Sequence, residues 1–312
     1  EAFANPWLAE QEDQARLDLA QLVAEGDRLA FSTDSYVIDP LFFPGGNIGK
    51  LAICGTANDV AVSGAIPRYL SCGFILEEGL PMETLKAVVT SMAETARAAG
   101  IAIVTGDTKV VQRGAADKLF INTAGMGAIP ANIHWGAQML TAGDVLLVSG
   151  TLGDHGATIL NLREQLGLDG ELVSDCAVLT PLIQTLRDIP GVKALRDATR
   201  GGVNAVVHEF AAACGCGIEL SEAALPVKPA VRGVCELLGL DALNFANEGK
   251  LVIAVERNAA EQVLAALHSH PLGKDAALIG EVVERKGVRL AGLYGVKRTL
   301  DLPHAEPLPR IC

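Results

Sequence analysis

The chain has 312 residues, 50% of them apolar but only 4% aromatic, and a formal charge of −12. Roughly one domain per 150 residues gives two domains, and a chain this long needs neither disulfides nor a structural metal for its core. An acidic surface with 25 scattered Lys and Arg disfavours nucleic acid as a partner, and no apolar run is long enough to span a bilayer.

The chain opens on Glu1 rather than Met, and Trp7-Leu8…Leu17…Leu19…Leu22 reads as a helix already under way, so a native N-terminal piece is expected to precede it. Residues 29–34 and 36–38 read as strand pieces that stop at the turn Asp39-Pro40. The Gly/Pro-rich run 43–47 then leads into a long small-residue helix through Ala65. A strand follows over 68–77, a helix over 82–99, a strand over 101–111 interrupted at Gly106-Asp107, and a strand over 119–129. This order predicts an α/β (α+β) fold. A polar joint over 130–143 separates it from a second unit with strands near 144–149, 218–220, 251–255, 277–283 and 288–290. Its helices are predicted near 156–167, 176–187, 202–214, 229–238 and 259–268. The domains are therefore 1–130 and 131–301, followed by a proline-rich, extended and flexible tail over 302–312 that ends in Cys312. Seven cysteines, an odd number, argue for a reducing compartment, here the cytoplasm.

Several familiar motifs fail. The run Gly45-Gly46-Asn47-Ile48-Gly49-Lys50-Leu51 is one residue short of a P-loop and has Leu51 where Ser or Thr would bind Mg²⁺. Cys214-Gly215-Cys216 has no second pair to complete a metal site. Three carboxylates, Asp34, Asp59 and Asp107, lie where apolar elements meet polar turns, with Lys109 two residues beyond the last. If they converge, a hard cation with nucleotide phosphates satisfies them; singly, each is more readily a cap or turn residue. The glycine-flanked turns over 149–156 and 197–202 precede helices and suit anions, and Glu248 sits on a tight turn as a general base or a plain turn residue. Cys312 on its proline-stiffened arm is poorly placed for core packing. Ten residues reach at most about 35 Å, enough to carry a thiol between an active site and an outside partner.

Together, Thr33-Asp34-Ser35-Tyr36-Val37, Asn58-Asp59-Val60-Ala61, Gly106-Asp107-Thr108-Lys109-Val110, Asp197-Ala198-Thr199-Arg200-Gly201-Gly202, Asn247-Glu248-Gly249-Lys250 and the terminal Pro309-Arg310-Ile311-Cys312 resemble the HypE family of hydrogenase maturation proteins. The resemblance runs from Asp34 to Cys312, whereas the glycine-rich segment that the family carries near its N-terminus has no counterpart before Asp34. It implies a two-domain synthetase-superfamily fold whose N-terminal sheet pairs with a second subunit into a barrel, in a homodimer. It further implies ATP-dependent dehydration of a carbamoyl group on Cys312 to a thiocyanate, the cyanide source for the iron of [NiFe] hydrogenase. The implied partners are a carbamoyltransferase and an iron-carrying scaffold complex. Under it Asp34, Asp59 and Asp107 hold Mg²⁺, and ATP is bound by these with Asn58, Thr108, Asp197, Thr199, Arg200, Gly201 and Gly202. Lys109 and Glu248 share charge stabilisation and proton removal, the two roles being interchangeable. A sister synthetase such as selenophosphate synthetase, and a non-catalytic thiol carrier, are the alternatives.

Overall fold

A computed structural model describes residues 2–168, 170, 172–303 and 308–312. The chain divides into two compact units, one of residues 1–133 with 176–180 and 310–312, the other of 134–175 and 181–309. At the end of the first of these stretches the Arg28 guanidinium donates to the carbonyls of Pro130 and Ile133, at 3.4 and 2.6 Å, and ties it to the first strand.

The first unit runs α1 (Pro6–Ala9), α2 (Leu19–Glu25), β1 (Arg28–Tyr36), the two-residue strands β2 (Phe42–Phe43) and β3 (Gly46–Asn47), α3 (Ile48–Ala61), β4 (Tyr69–Glu77), α4 (Met82–Ala98), β5 (Ala102–Val111) and β6 (Leu119–Ile129). The opening is thus not one helix: Asn5 caps α1 and Asp18 caps α2, and the chain between them is irregular. Four strands form a sheet in the order β1-β6-β4-β5. Only β4 and β5 pair in parallel, as expected for strands joined through a helix, α4. Strand β5 runs unbroken through the expected interruption. Glycine is needed at 106 because a Cβ there would stand 2.2 Å from the Cys72 carbonyl oxygen of the neighbouring strand.

Small residues let α3 lie close to its neighbours. A Cβ on Gly49 would meet the Val88 carbonyl oxygen of α4 at 2.5 Å, and one on Gly55 would meet Tyr36 Oη at 2.4 Å. The helix is consequently buried along most of its length.

The second unit holds β7 (Val145–Val148), α5 (Asp154–Glu164), most of α6 (Thr180–Gln184), β8 (Val192–Asp197), α7 (Gly202–Cys214), β9 (Gly217–Ser221), α8 (Pro229–Leu238), β10 (Leu251–Val255), α9 (Ala260–His268), β11 (Ala277–Val283), β12 (Gly287–Ala291) and β13 (Lys297–Thr299). Its seven-stranded sheet has the order β13-β12-β9-β11-β7-β10-β8. Strands β7 and β10 are buried throughout, as befits central strands read as continuous apolar runs. Phe210, Val206 and Val207 of α7 pack on the sheet through Val148, Val252 and Ile279. Strands β8 and β13 and the shortness of α6 depart from the sequence expectation. Among the described residues, no helix is long and apolar enough to cross a membrane.

Candidate functional site

In the first unit, β1 turns Ser32, Asp34 and Tyr36 toward α3. Ser32 Oγ donates to Asp59 Oδ2 at 2.8 Å, so Asp34 and Asp59 belong to the same β1–α3 face. Beneath them lies a buried hydroxyl relay. Thr123 Oγ1 donates to the Ala52 carbonyl at 3.1 Å, which leaves it to accept from Thr56 at 2.6 Å, and Thr56 in turn to accept from Tyr36 Oη at 3.0 Å. Asp34 Oδ1 accepts the Ser35 N–H at 2.7 Å, and Asn122 Nδ2 donates to the Asp34 carbonyl at 2.9 Å.

Asp107 stands elsewhere. Three strand spacings, about 14 Å, separate β5 from β1. The register aligns Asp34 with Thr123, Cys72 and Gly106, which puts Asp107 on the opposite face of the sheet. Among the described residues no three His, Cys, Asp or Glu side chains gather to hold a metal, and the trio Asp34, Asp59 and Asp107 is not brought together within this chain. Asp107 instead pairs with Lys109 at 3.0 Å and takes the Thr108 N–H at 2.8 Å. The Lys109 ammonium first, and the Thr108 N–H second, hold the Asp107 carboxyl below the usual Asp range. Asn58 is buried, with Nδ2 donating to the Ala177 carbonyl at 3.0 Å and Oδ1 accepting the Leu179 N–H at 2.8 Å. Its amide fastens segment 176–180 rather than facing an open site.

The last three residues pack against this unit. The Val37 N–H donates to the Cys312 carbonyl oxygen at 2.9 Å, and Arg310 Nε donates to the Val37 carbonyl at 2.9 Å. Arg310 also pairs with Asp117, whose carboxyl its guanidinium holds below the usual range. Cys312 is only 8% exposed. Of the expected flexible tail, residues 304–307 lie outside the described residues. Two other thiols are held protonated by burial, which raises the Cys72 pKa to about 12 and that of Cys235 to about 11.

In the second unit, the turns over 149–156, 197–202 and 247–250 meet at Asn247, which the sequence analysis quoted within a motif but gave no role. Its Oδ1 accepts the Gly153 N–H at 2.8 Å, and its Nδ2 donates to the Ala198 carbonyl at 3.0 Å and the Phe245 carbonyl at 2.9 Å. Glu248 follows and is buried. Its N–H donates to Asp175 Oδ1 at 3.1 Å, and Asp175 Oδ2 accepts from Lys250 Nζ at 3.1 Å. Burial pushes the Asp175 carboxyl up, but the Lys250 ammonium, His155 and the Glu248 N–H outweigh it, and the group sits below the usual range. His155 Nδ1 lies 2.7 Å from Ser174 Oγ. Nothing in the sequence marked Asp175, which falls just before a stretch read as helix.

Asp197 ends β8 and is buried, Thr199 is half-buried and Arg200 is exposed. Gly201 and Gly202 take φ of +75° and +59°, and a Cβ on Gly202 would lie 2.5 Å from the carbonyl oxygens of Leu243 and Phe245. These glycines open the thirteen-residue α7, whose first N–H groups and dipole favour an anion.

Residues 11–129 match the model of the AIR synthase related protein N-terminal domain, and 141–292 that of the C-terminal domain. The carbamoyl dehydratase HypE of Escherichia coli (strain K12) is 99% identical over all of this chain and 93% of its own length. The chain belongs to the HypE family of carbamoyl dehydratases. The Rhodobacter capsulatus member is 50% identical over 96% of this chain and 89% of its own. A crystal structure of E. coli HypE superposes with a TM-score of 0.98 at 98% identity, covering 100% of this chain and 97% of that one. A HypE solved in complex with ATP matches at 0.94 and 46% identity, over 100% and 93% of the two chains. A HypE–HypF complex matches at 0.86 and 46%, over 97% of each.

Proposed function

We propose that the chain dehydrates a carbamoyl group carried on Cys312 Sγ to a thiocyanate, with ATP as co-substrate. The observation that carries this reading is the terminal thiol itself, drawn in and hydrogen-bonded through its own backbone beside the end of β1. In the first step the carbamoyl oxygen attacks the γ-phosphorus, a C–O–P bond forms and ADP leaves. In the second, the nitrogen loses its protons as the C–O bond breaks, phosphate departs and S–C≡N remains. Phosphorylation converts a very poor leaving group into a good one, so the protein's task is positioning and charge control.

Glu248 is the base that takes the nitrogen proton, and Lys109 offsets negative charge. Burial of Glu248 keeps bulk water away from the proton transfer. Asp34 and Asp59, on one face, would hold Mg²⁺ through one or two carboxylates, as this ion prefers when phosphates supply further oxygens. Such an ion neutralises phosphate charge. Asp107 and Thr108 remain ATP contacts in this reading, Asn58 supports them by fixing 176–180, and Asp197, Thr199, Arg200, Gly201 and Gly202 serve phosphate at the start of α7.

The relative solved with ATP supports the nucleotide, and the HypE–HypF complex supports a carbamoyltransferase partner. Cyanide then passes to iron on a maturation scaffold, and the reaction belongs in the cytoplasm, which five undisulfided cysteines, Cys54, Cys72, Cys214, Cys216 and Cys235, support. The protein is a homodimer through the sheet face opposite α3, where Leu29 and Phe31 are 55% and 68% exposed.

The test weighs the C-terminal peptide after incubation with the carbamoyltransferase and Mg-ATP. A carbamoyl adduct on Cys312 that loses one water only when ATP is present is expected. An adduct that never loses water would leave the chain a carrier alone.

A further inference from the structure

We propose that Asp175 is a positioning residue for Glu248, its carboxylate spanning the turn that carries the base. This rests on the reading of Glu248 as the base. One oxygen of Asp175 receives the Glu248 N–H at 3.1 Å, and the other receives the Lys250 ammonium at 3.1 Å. The two residues it grips flank Gly249, and turning the peptide ahead of Glu248 would break the bond from the Glu248 N–H.

The turn does not need an ion pair merely to exist. Asn247 fixes its start with three side-chain hydrogen bonds and a backbone bond to Ala198. Its end is fixed where Ala198 N–H meets the Lys250 carbonyl and Leu251 N–H meets Ser149 Oγ. The Asp175 and Lys250 side chains are only 3% and 11% exposed. A pair this buried gives little or no net stability over apolar residues of the same size, because desolvation offsets the attraction. What it adds here is the aim of Glu248. The residue before Asp175 is held as well, by the 2.7 Å contact of Ser174 with His155 on α5.

The experiment compares two substitutions in a Lys250→Met background, so that no buried ammonium is orphaned. Asp175→Asn keeps an acceptor oxygen for the Glu248 N–H, and Asp175→Leu, of similar volume, keeps none. The chain is carbamoylated on Cys312 by its carbamoyltransferase, and single-turnover water loss is followed by mass spectrometry over a range of ATP. The Leu variant is expected to lower kcat by about 10²-fold, as a misplaced catalytic group does, with KM for ATP unchanged. The Asn variant should stay close to the parent rate. In a Glu248→Ala background, Asp175→Leu should cause no further loss. Equal rates for the Asn and Leu variants, or a Leu loss that adds in full to that of Glu248→Ala, would overturn the positioning role while leaving the base assigned. A Glu248→Ala chain that dehydrates at the parent rate would remove the base, and Asp175's role with it. Should the Met background melt early, Asp175→Asn against Asp175→Ala in the parent chain gives the same contrast.

Discussion

Asn247 shows how one amide can join three turns. Every polar atom of its side chain is bonded inside the second unit, and it joins the three turns on which Glu248, Asp197 and the start of α5 sit. Asn247→Ala takes the side-chain partner from the Gly153 N–H and the Phe245 carbonyl, and leaves the Ala198 carbonyl with the residue 247 N–H alone; we expect a loss of about 3 kcal/mol, read from the urea midpoint. Arg310 does comparable work for the thiol. Asp117 has its pKa lowered in the folded chain by the Arg310 guanidinium. A lowered folded value means that the docking contribution is full above the unfolded Asp value, about 3.9, and is lost as pH falls through the depressed one. Labelling of Cys312 by dithiodipyridine, corrected for thiolate, should therefore be flat from neutral pH to about pH 5 and rise below about pH 4. Arg310→Ala should raise it at every pH. A rate unchanged by Arg310→Ala would show that the guanidinium does not hold the tail.

At the scale of elements, α3 is an opposed pair of preferences. Glycine inside a helix costs about 1 kcal/mol against alanine, so propensity alone favours Gly49→Ala. Packing reverses the sign, because the added Cβ would stand 2.5 Å from a backbone oxygen of α4 that cannot swing away. We expect Gly49→Ala to destabilise by about 1–3 kcal/mol in thermal unfolding. A variant more stable than the parent would show that α3 and α4 slide apart freely. The same helix displays the limit of reading motifs by eye. Its glycines and alanines were legible as a small-residue helix, but nothing in their spacing said which neighbour each one admits.

For the whole molecule the telling surface is the part of β1 left exposed on the sheet face where α1 and α2 cover Tyr69 and Met126. Leu29 and Phe31 alternate with Ala30 and Ser32, so the first half of β1 is apolar on the face away from α3, before Thr33 and Ser35 make it polar. A sheet face of this kind needs cover, and a second copy of the same sheet supplies it in our reading. Phe31→Glu should leave the monomer's fold intact, since the side chain is 68% exposed, and should shift sedimentation from dimer to monomer. A variant that stays dimeric would place the interface elsewhere.

The sequence by itself determined the alternation of strands and helices and the family to which the chain belongs, and it named the residues on which our reading places the chemistry. These are local properties: period-two and 3.6-residue patterns, glycine-flanked turns and a terminal thiol are written in neighbouring positions. The span of β6 and the full lengths of α7, α8, β10 and β11 could be read this way. The tertiary structure decided what meets what. Strand order and register parity, which no local pattern encodes, put Asp34 on the sheet face that α3 covers and Asp107 on the other face of the same sheet. Chain return brought Asp175 under a turn more than seventy residues away and folded Cys312 back onto Val37. Such pairings depend on which apolar faces bury each other and on how backbone groups find partners across the sheet, and those are settled only when the chain is compact.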